Sequence, residues 1–392
     1  MLTAAAMASM LPCADGGALS DFWQQVKQRV GFGEACPLRP NGTEFVDEQL
    51  RSHLVGQPLA VWQLSAAIET HFRDVQAGKS QKALVVSIHG APGVGKSYTV
   101  GFLKGLFLQN ANEPHSAPLG CLQIDGHMYP AERQAAMAHE LKMQLMRHVK
   151  RCGRGSLVVI EEVEQMSPGV LQELIRPFDH GGAYSYGGLS VSFANTVFVL
   201  VSNMGHEILG RLAAAWERER EAMPIEEAQA KLQDEWDAKA GTVRFTAKID
   251  FFVPYFPLEA MHIKQIAHRE ITERLTSLKS AFALRLVTFD EGLAEQIADR
   301  VGYKISVVPA STAGAPETNK FFAKYGASEV GPKVRGIVHQ VNKQLQAAKR
   351  KFSIKGRAAH IVATAEGDHH DIVVALEWRT SPGNGERGNP DL

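Results

Sequence analysis

The chain has 392 residues, 45% hydrophobic and 21% charged, the composition of a folded protein of about two domains and not of a disordered one. Its 42 Lys and Arg balance 42 Asp and Glu, so no net field draws it to nucleic acid or to an anionic membrane surface. No apolar run approaches the roughly 20 residues of a spanning helix, so a membrane link is expected only through partners.

Residues 1–11 are apolar and small, with no Lys or Arg ahead of them; they read either as a short secretory leader or as a frayed terminus, and 1–44 is set apart as an N-terminal leader or extension. Cys13, Cys36, Cys121 and Cys152 show neither CxxC nor metal spacing and leave the redox compartment open. Asn41-Gly42-Thr43 accepts a glycan only if the chain enters the secretory pathway.

From residue 45 to 75 the apolar spacing is helical, broken at Val55-Gly56-Gln57-Pro58, where Pro58 opens a second helix. Residues 83–88, 157–160 and 197–201 are short, nearly continuous apolar runs, the mark of parallel strands covered on both faces. Helical patterns at 131–151 and 168–176 lie between them, which predicts an α/β domain with a parallel sheet over 45–257. Beyond it, helical patterns at 258–281, 290–301 and 332–351 predict a smaller, mainly helical domain over 258–380, with a hairpin at 360–378 and a disordered tail at 381–392. The charged stretch 216–236 reads as an exposed helix pair carrying a client or partner surface, and the basic stretch 343–351 as a solvated helix face rather than a nucleic-acid site.

Gly90-Ala91-Pro92-Gly93-Val94-Gly95-Lys96-Ser97 satisfies G-x-x-x-x-G-K-[ST] directly after the first strand and before a helix. Glycines let backbone N–H groups curl around phosphates, Lys96 reaches the β and γ phosphates, and Ser97 ligates Mg²⁺, so ATP with Mg²⁺ is the expected ligand. The second strand ends in Glu161-Glu162: Glu161 takes the metal-side position, usually Asp, and Glu162 the position that polarises the attacking water. The third ends in Ser202-Asn203, placing an amide where it senses the γ-phosphate. The phosphate loop between strand and helix is a strong signal by itself, whereas an Asn after a strand is by itself an ordinary turn residue; the order of phosphate loop, acidic strand and Asn strand gives Asn203 its value and points to nucleotide hydrolysis.

That order resembles the torsins and the second ATPase module of the Clp-type unfoldases, both AAA+ ATPases, over about residues 54–351. Its marks are Val55-Gly56-Gln57-Pro58, the stretch 161–166, Arg176-Pro177-Phe178-Asp179, Phe193-Ala194-Asn195-Thr196, Ser202-Asn203-Met204-Gly205 and, closest to torsin, residues 249–259. The resemblance implies an AAA+ fold with a helical lid, an oligomer remodelling protein clients, and residence in the endoplasmic reticulum lumen or nuclear envelope, the cytoplasm otherwise. It makes Gly331-Pro332-Lys333 the second sensor, with Lys333 reaching the γ-phosphate.

Several positions depart from the pattern. Lys248 stands where the Clp-type proteins place an arginine finger and cannot make that planar, bidentate contact, so an activator donating an arginine is expected. Residues 126–130 contain no Gly-Tyr-Val-Gly pore loop, and Tyr129 reads as an exposed turn residue or, less favoured, a grip. Ser97 replaces the Asn that torsins usually carry after the lysine, and the second sensor lacks the torsin cysteine. A nucleotide-dependent switch with little hydrolysis and a self-sufficient threading unfoldase are the alternatives.

Overall fold

The computed structural model describes residues 36–108, 118–153, 155–216, 225–240, 245–308, 318–364 and 372–379. Helices α1 (Gly42–His53) and α2 (Pro58–Gln76), the latter opened by Pro58 at its first turn, precede strand β1 (Leu84–Gly90). Then follow α3 (Lys96–Leu103), β2 (Cys121–Asp125), α4 (Gln134–Arg151), β3 (Ser156–Glu161) and α5 (Pro168–Phe178). A hairpin of β4 (Ala183–Tyr186) and β5 (Leu189–Ser192) leads to β6 (Thr196–Ser202), α6 (His206–Trp216), α7 (Ile225–Ala240) and β7 (Phe251–Tyr255).

The five long strands form one parallel sheet in the order β2-β3-β6-β1-β7. Every residue of β1 and β6 is buried, which is why their sequence runs apolar without alternation. One face packs on α4, α5 and α7 through Leu145, Leu174 and Trp236, the other on α1, α2 and α3 through Leu50, Leu64 and Leu103.

A third core, around Ile271, Leu293 and Val341, belongs to α8 (Ala260–Ala281), α9 (Gly292–Asp299) and α10 (Val330–Lys351). Strands β11 (Ala358–Thr364) and β12 (Val373–Arg379) form the expected hairpin, and β8 (Leu286–Phe289) adds a third, parallel strand to it that the sequence pattern did not suggest. The antiparallel pair β9 (Tyr303–Val308) and β10 (Thr318–Ala323) precedes α10 and was likewise not anticipated.

The stretch 216–236 requires a correction. Its second half is α7, which buries Ala228, Leu232 and Trp236 against the sheet, so it is a core helix with one charged face and not an exposed pair; residues 217–224 lie outside the described residues. Residues 1–35 of the 1–44 extension and the whole tail 381–392 lie outside them as well.

Cys36 and Cys152 form a disulfide, with Cα atoms 5.1 Å apart, that ties the segment before α1 to the end of α4. Leu108 N–H and Arg39 N–H donate to Pro37 O and Leu106 O, stitching the same segment to the turn after α3. Cys121 is a free, buried thiol.

Candidate nucleotide site

The phosphate loop links β1 to α3, so its amides face the C-terminal edge of the sheet beside the ends of β3 and β6. A cleft of about 670 Å³ opens there, and loop residues 92–97 line it with Glu161, Glu162 and Asn203. The sequence-derived residues therefore converge, apart from Lys333. That residue lies in the first turn of α10 and does not line the cleft; Ala327 and Ser328, in the turn before α10, do.

Lys96 is buried and donates to Gly90 O at 2.6 Å, Ala91 O at 2.9 Å and Asn203 Oδ1 at 2.8 Å. Burial pushes its ammonium down to about 8, against the pull of Glu162, Glu164 and Glu161. Asn203 Nδ2 donates to both oxygens of Glu162, at 2.9 and 2.8 Å, so one amide bridges Lys96 and Glu162. Ser97 Oγ donates to Glu161 Oε2 at 3.3 Å, a separation that two neighbouring ligands of one octahedral Mg²⁺ can span. Burial raises the Glu161 carboxyl, with Ser97 opposing and Glu162 adding to the shift. Bound there, the ion would neutralise phosphate charge, with Ser97 and Glu161 as its protein ligands.

Glu164 was not picked out from sequence. It is buried, its Oε1 accepts Asn203 N–H at 2.9 Å, and it sets the backbone from which the bridging amide projects. An acid three residues past the strand end has no local signature, so nothing short of the fold reveals it.

The other wall comes from α8. Arg269 donates to His53 O, lies 5.8 Å from the Tyr98 ring centre and pairs with Glu273 at 3.7 Å, while Arg274 pairs with Glu270 at 2.8 Å. Gln57 is buried and pairs with the Phe256 backbone in both directions, accepting Phe256 N–H at 2.9 Å and donating to Phe256 O at 2.7 Å. This contact fastens the 249–259 stretch beside the phosphate loop.

The lid turn lies directly on that loop. Ala327 N–H donates to Gly93 O at 2.9 Å, and Gly93 and Gly326, both at positive φ (76° and 54°), face each other. A Cβ on Gly93 would meet Tyr325 O at 2.1 Å, and one on Gly326 would meet the Gly93 carbonyl at 2.4 Å, so neither position has room for a side chain.

Lys248 forms an ion pair with Asp179 of its own chain, just past the end of α5. Tyr129 is buried with its hydroxyl on Gln144 Oε1 at 3.0 Å, so it is neither an exposed turn residue nor a grip. Below the loop, Trp236 Nε1–H donates to His89 Nε2 at 3.2 Å.

A sequence profile of the torsin family matches residues 31–159, and one described as AAA domain (Cdc48 subfamily) matches residues 130–239. Torsin-3A of Rattus norvegicus is 25% identical over 316 residues, 77% of this chain and 71% of its own length. Torsin-3A of Homo sapiens is 24% identical over 319 residues, 77% and 72% of the two chains, and a torsin-like protein of Drosophila melanogaster 24% over 250, 61% and 71%. With the five-stranded parallel sheet and the phosphate-loop cleft, these likenesses identify the chain as a torsin-like protein of the AAA+ ATPase class.

Proposed function

We propose that the chain hydrolyses ATP with Mg²⁺ to remodel protein clients, as part of an oligomer whose partner supplies an arginine, and that it works in the endoplasmic reticulum lumen or nuclear envelope. The bridge Lys96–Asn203–Glu162 carries the catalytic half of this reading, because it joins the γ-phosphate cation to the water-polarising acid. The ion pair of Lys248 with Asp179 supports the need for a partner: the cation at the finger position is engaged within its own chain. A trans arginine is worth about three to five orders of magnitude in rate, so the chain alone should be slow. Buried Tyr129 removes the aromatic grip that the threading reading required. The disulfide supports an oxidising compartment, and among the described residues no helix is long and apolar enough to cross a membrane.

Single-turnover ATP hydrolysis by the purified chain and by Glu162→Gln tests the reading. Slow turnover that Glu162→Gln abolishes while nucleotide still binds is expected. Brisk turnover of the unassisted chain would instead make it self-sufficient, and bound ATP with no dependence on Glu162 would make it a nucleotide switch.

A further inference from the structure

We infer that Asn41 is an N-glycosylation site, a covalent carbohydrate attachment at the corner where the Cys36 segment enters α1. Asn41-Gly42-Thr43 is the sole Asn-X-Ser/Thr triplet in the 392 residues, so the question has one address. The inference rests on the lumenal reading above, for which the Cys36–Cys152 disulfide is the independent structural support.

The geometry suits the modification. Asn41 is exposed and occupies the left-handed region, φ 52° and ψ 36°, where Asn is tolerated better than most residues. It precedes α1 as the capping residue, yet its side chain makes no capping hydrogen bond, so an attached sugar displaces no helix cap. Its backbone carries the structural duty instead: Asn41 O accepts Phe45 N–H at 2.9 Å. Gly42 is buried, and a Cβ there would meet Leu106 O at 3.1 Å, so the middle of the triplet is held against the body while Asn41 projects from it.

The attachment point is rigid and remote from the nucleotide. Arg39 donates from its backbone to Leu106 O at 2.8 Å and from Nε to Gly105 O at 2.8 Å, and its guanidinium lies 4.3 Å from the Phe45 ring centre. These contacts lie at the far end of α3, an eight-residue helix whose first residue is Lys96, which is about 12 Å of helix away. A glycan there leaves the cleft open. Its bulk also keeps that corner facing solvent in any assembly, which limits the surfaces available to neighbouring subunits.

In the transfer, the anomeric carbon of an oligosaccharide carried on a polyisoprenyl pyrophosphate bonds to Asn41 Nδ2. The bond from that carbon to the pyrophosphate oxygen breaks, the lipid pyrophosphate leaves with the electron pair, and Nδ2 gives up one proton to the transferring enzyme's base.

The full chain produced in eukaryotic secretory cells, run on denaturing gels before and after peptide:N-glycosidase F, tests this. One mobility step removed by the glycosidase is expected; it should vanish in Asn41→Gln and Thr43→Val and persist in Thr43→Ser, with ATP turnover unchanged in all three. The two Thr43 variants give opposite outcomes with Asn41 intact, which guards against a folding defect in Asn41→Gln. Alkylation without reduction reports Cys36 and Cys152 in the same sample. A chain whose two cysteines are bonded but which shows no glycosidase-sensitive step overturns the inference and leaves the lumenal reading standing, whereas free cysteines and no step overturn both.

Discussion

Lys96 is held by three acceptors in a buried position, and its ammonium is depressed to about 8 because desolvation outweighs three nearby acids. A phosphate arriving beside it restores the preference for the charged form. Nucleotide binding should therefore take up a proton above pH about 8, where the free lysine is partly neutral, and take up little near pH 6. Titration calorimetry of the nucleotide in buffers of different ionisation heat measures that uptake, and Lys96→Met should remove it. At this scale much was legible in advance: Lys96, Ser97, Glu161, Glu162 and Asn203 each sit at a strand end or loop position that local pattern marks. Glu164 and Arg269 were not, since each acts through a backbone group supplied by a distant segment, at Asn203 and His53.

Among elements, the lid turn before α10 is the piece that lines the cleft and touches the phosphate loop, three to five residues ahead of Gly331-Pro332-Lys333, to which the resemblance gave the second-sensor role. The turn approaches through backbone atoms, and glycine and alanine give no charge signal by which the sequence could have marked it. Gly326→Ala tests the contact. The left-handed backbone alone costs about 1–2 kcal/mol for a residue with a Cβ, and the new methyl would collide with Gly93, so nucleotide affinity should fall at least tenfold, measured by titration with ADP, with the sheet core intact by circular dichroism. Helix α7 shows the opposite failure of local reading. Its charge density suggested exposure, whereas Ala228, Leu232 and Trp236 form one apolar stripe that caps the sheet.

For the whole molecule, stability is set by terms with no short-range signature. His71, His89 and His148 are buried, and desolvation holds their imidazoles at about 4, 3 and 4 against an ordinary 6.5. All three stay neutral when folded and gain protons only on unfolding, so the unfolded chain binds more protons below pH about 6.5. Their contribution is complete above that value and is lost as pH falls towards 4; denaturant midpoints measured from pH about 7.5 to 4.5 should drop steadily. The disulfide bridges a separation of 116 residues, which no spacing rule in a four-cysteine chain reveals. Cys36→Ser should lower stability by about 2–5 kcal/mol, read as a drop in melting temperature that reducing agent reproduces in the native chain and not in the variant.

The seating of the lid turn on Gly93 reaches beyond stability. Since a hydrogen bond and a glycine pair join the phosphate loop to the turn leading into α10, any molecule that bound the lid and displaced this turn would share an equilibrium with the nucleotide, and linkage would make the two effects mutual. A partner that lifts the lid and weakens ATP binding by some factor must itself be weakened by ATP by that same factor, so partner affinity measured with and without nucleotide is a direct gauge of how far this contact carries the signal.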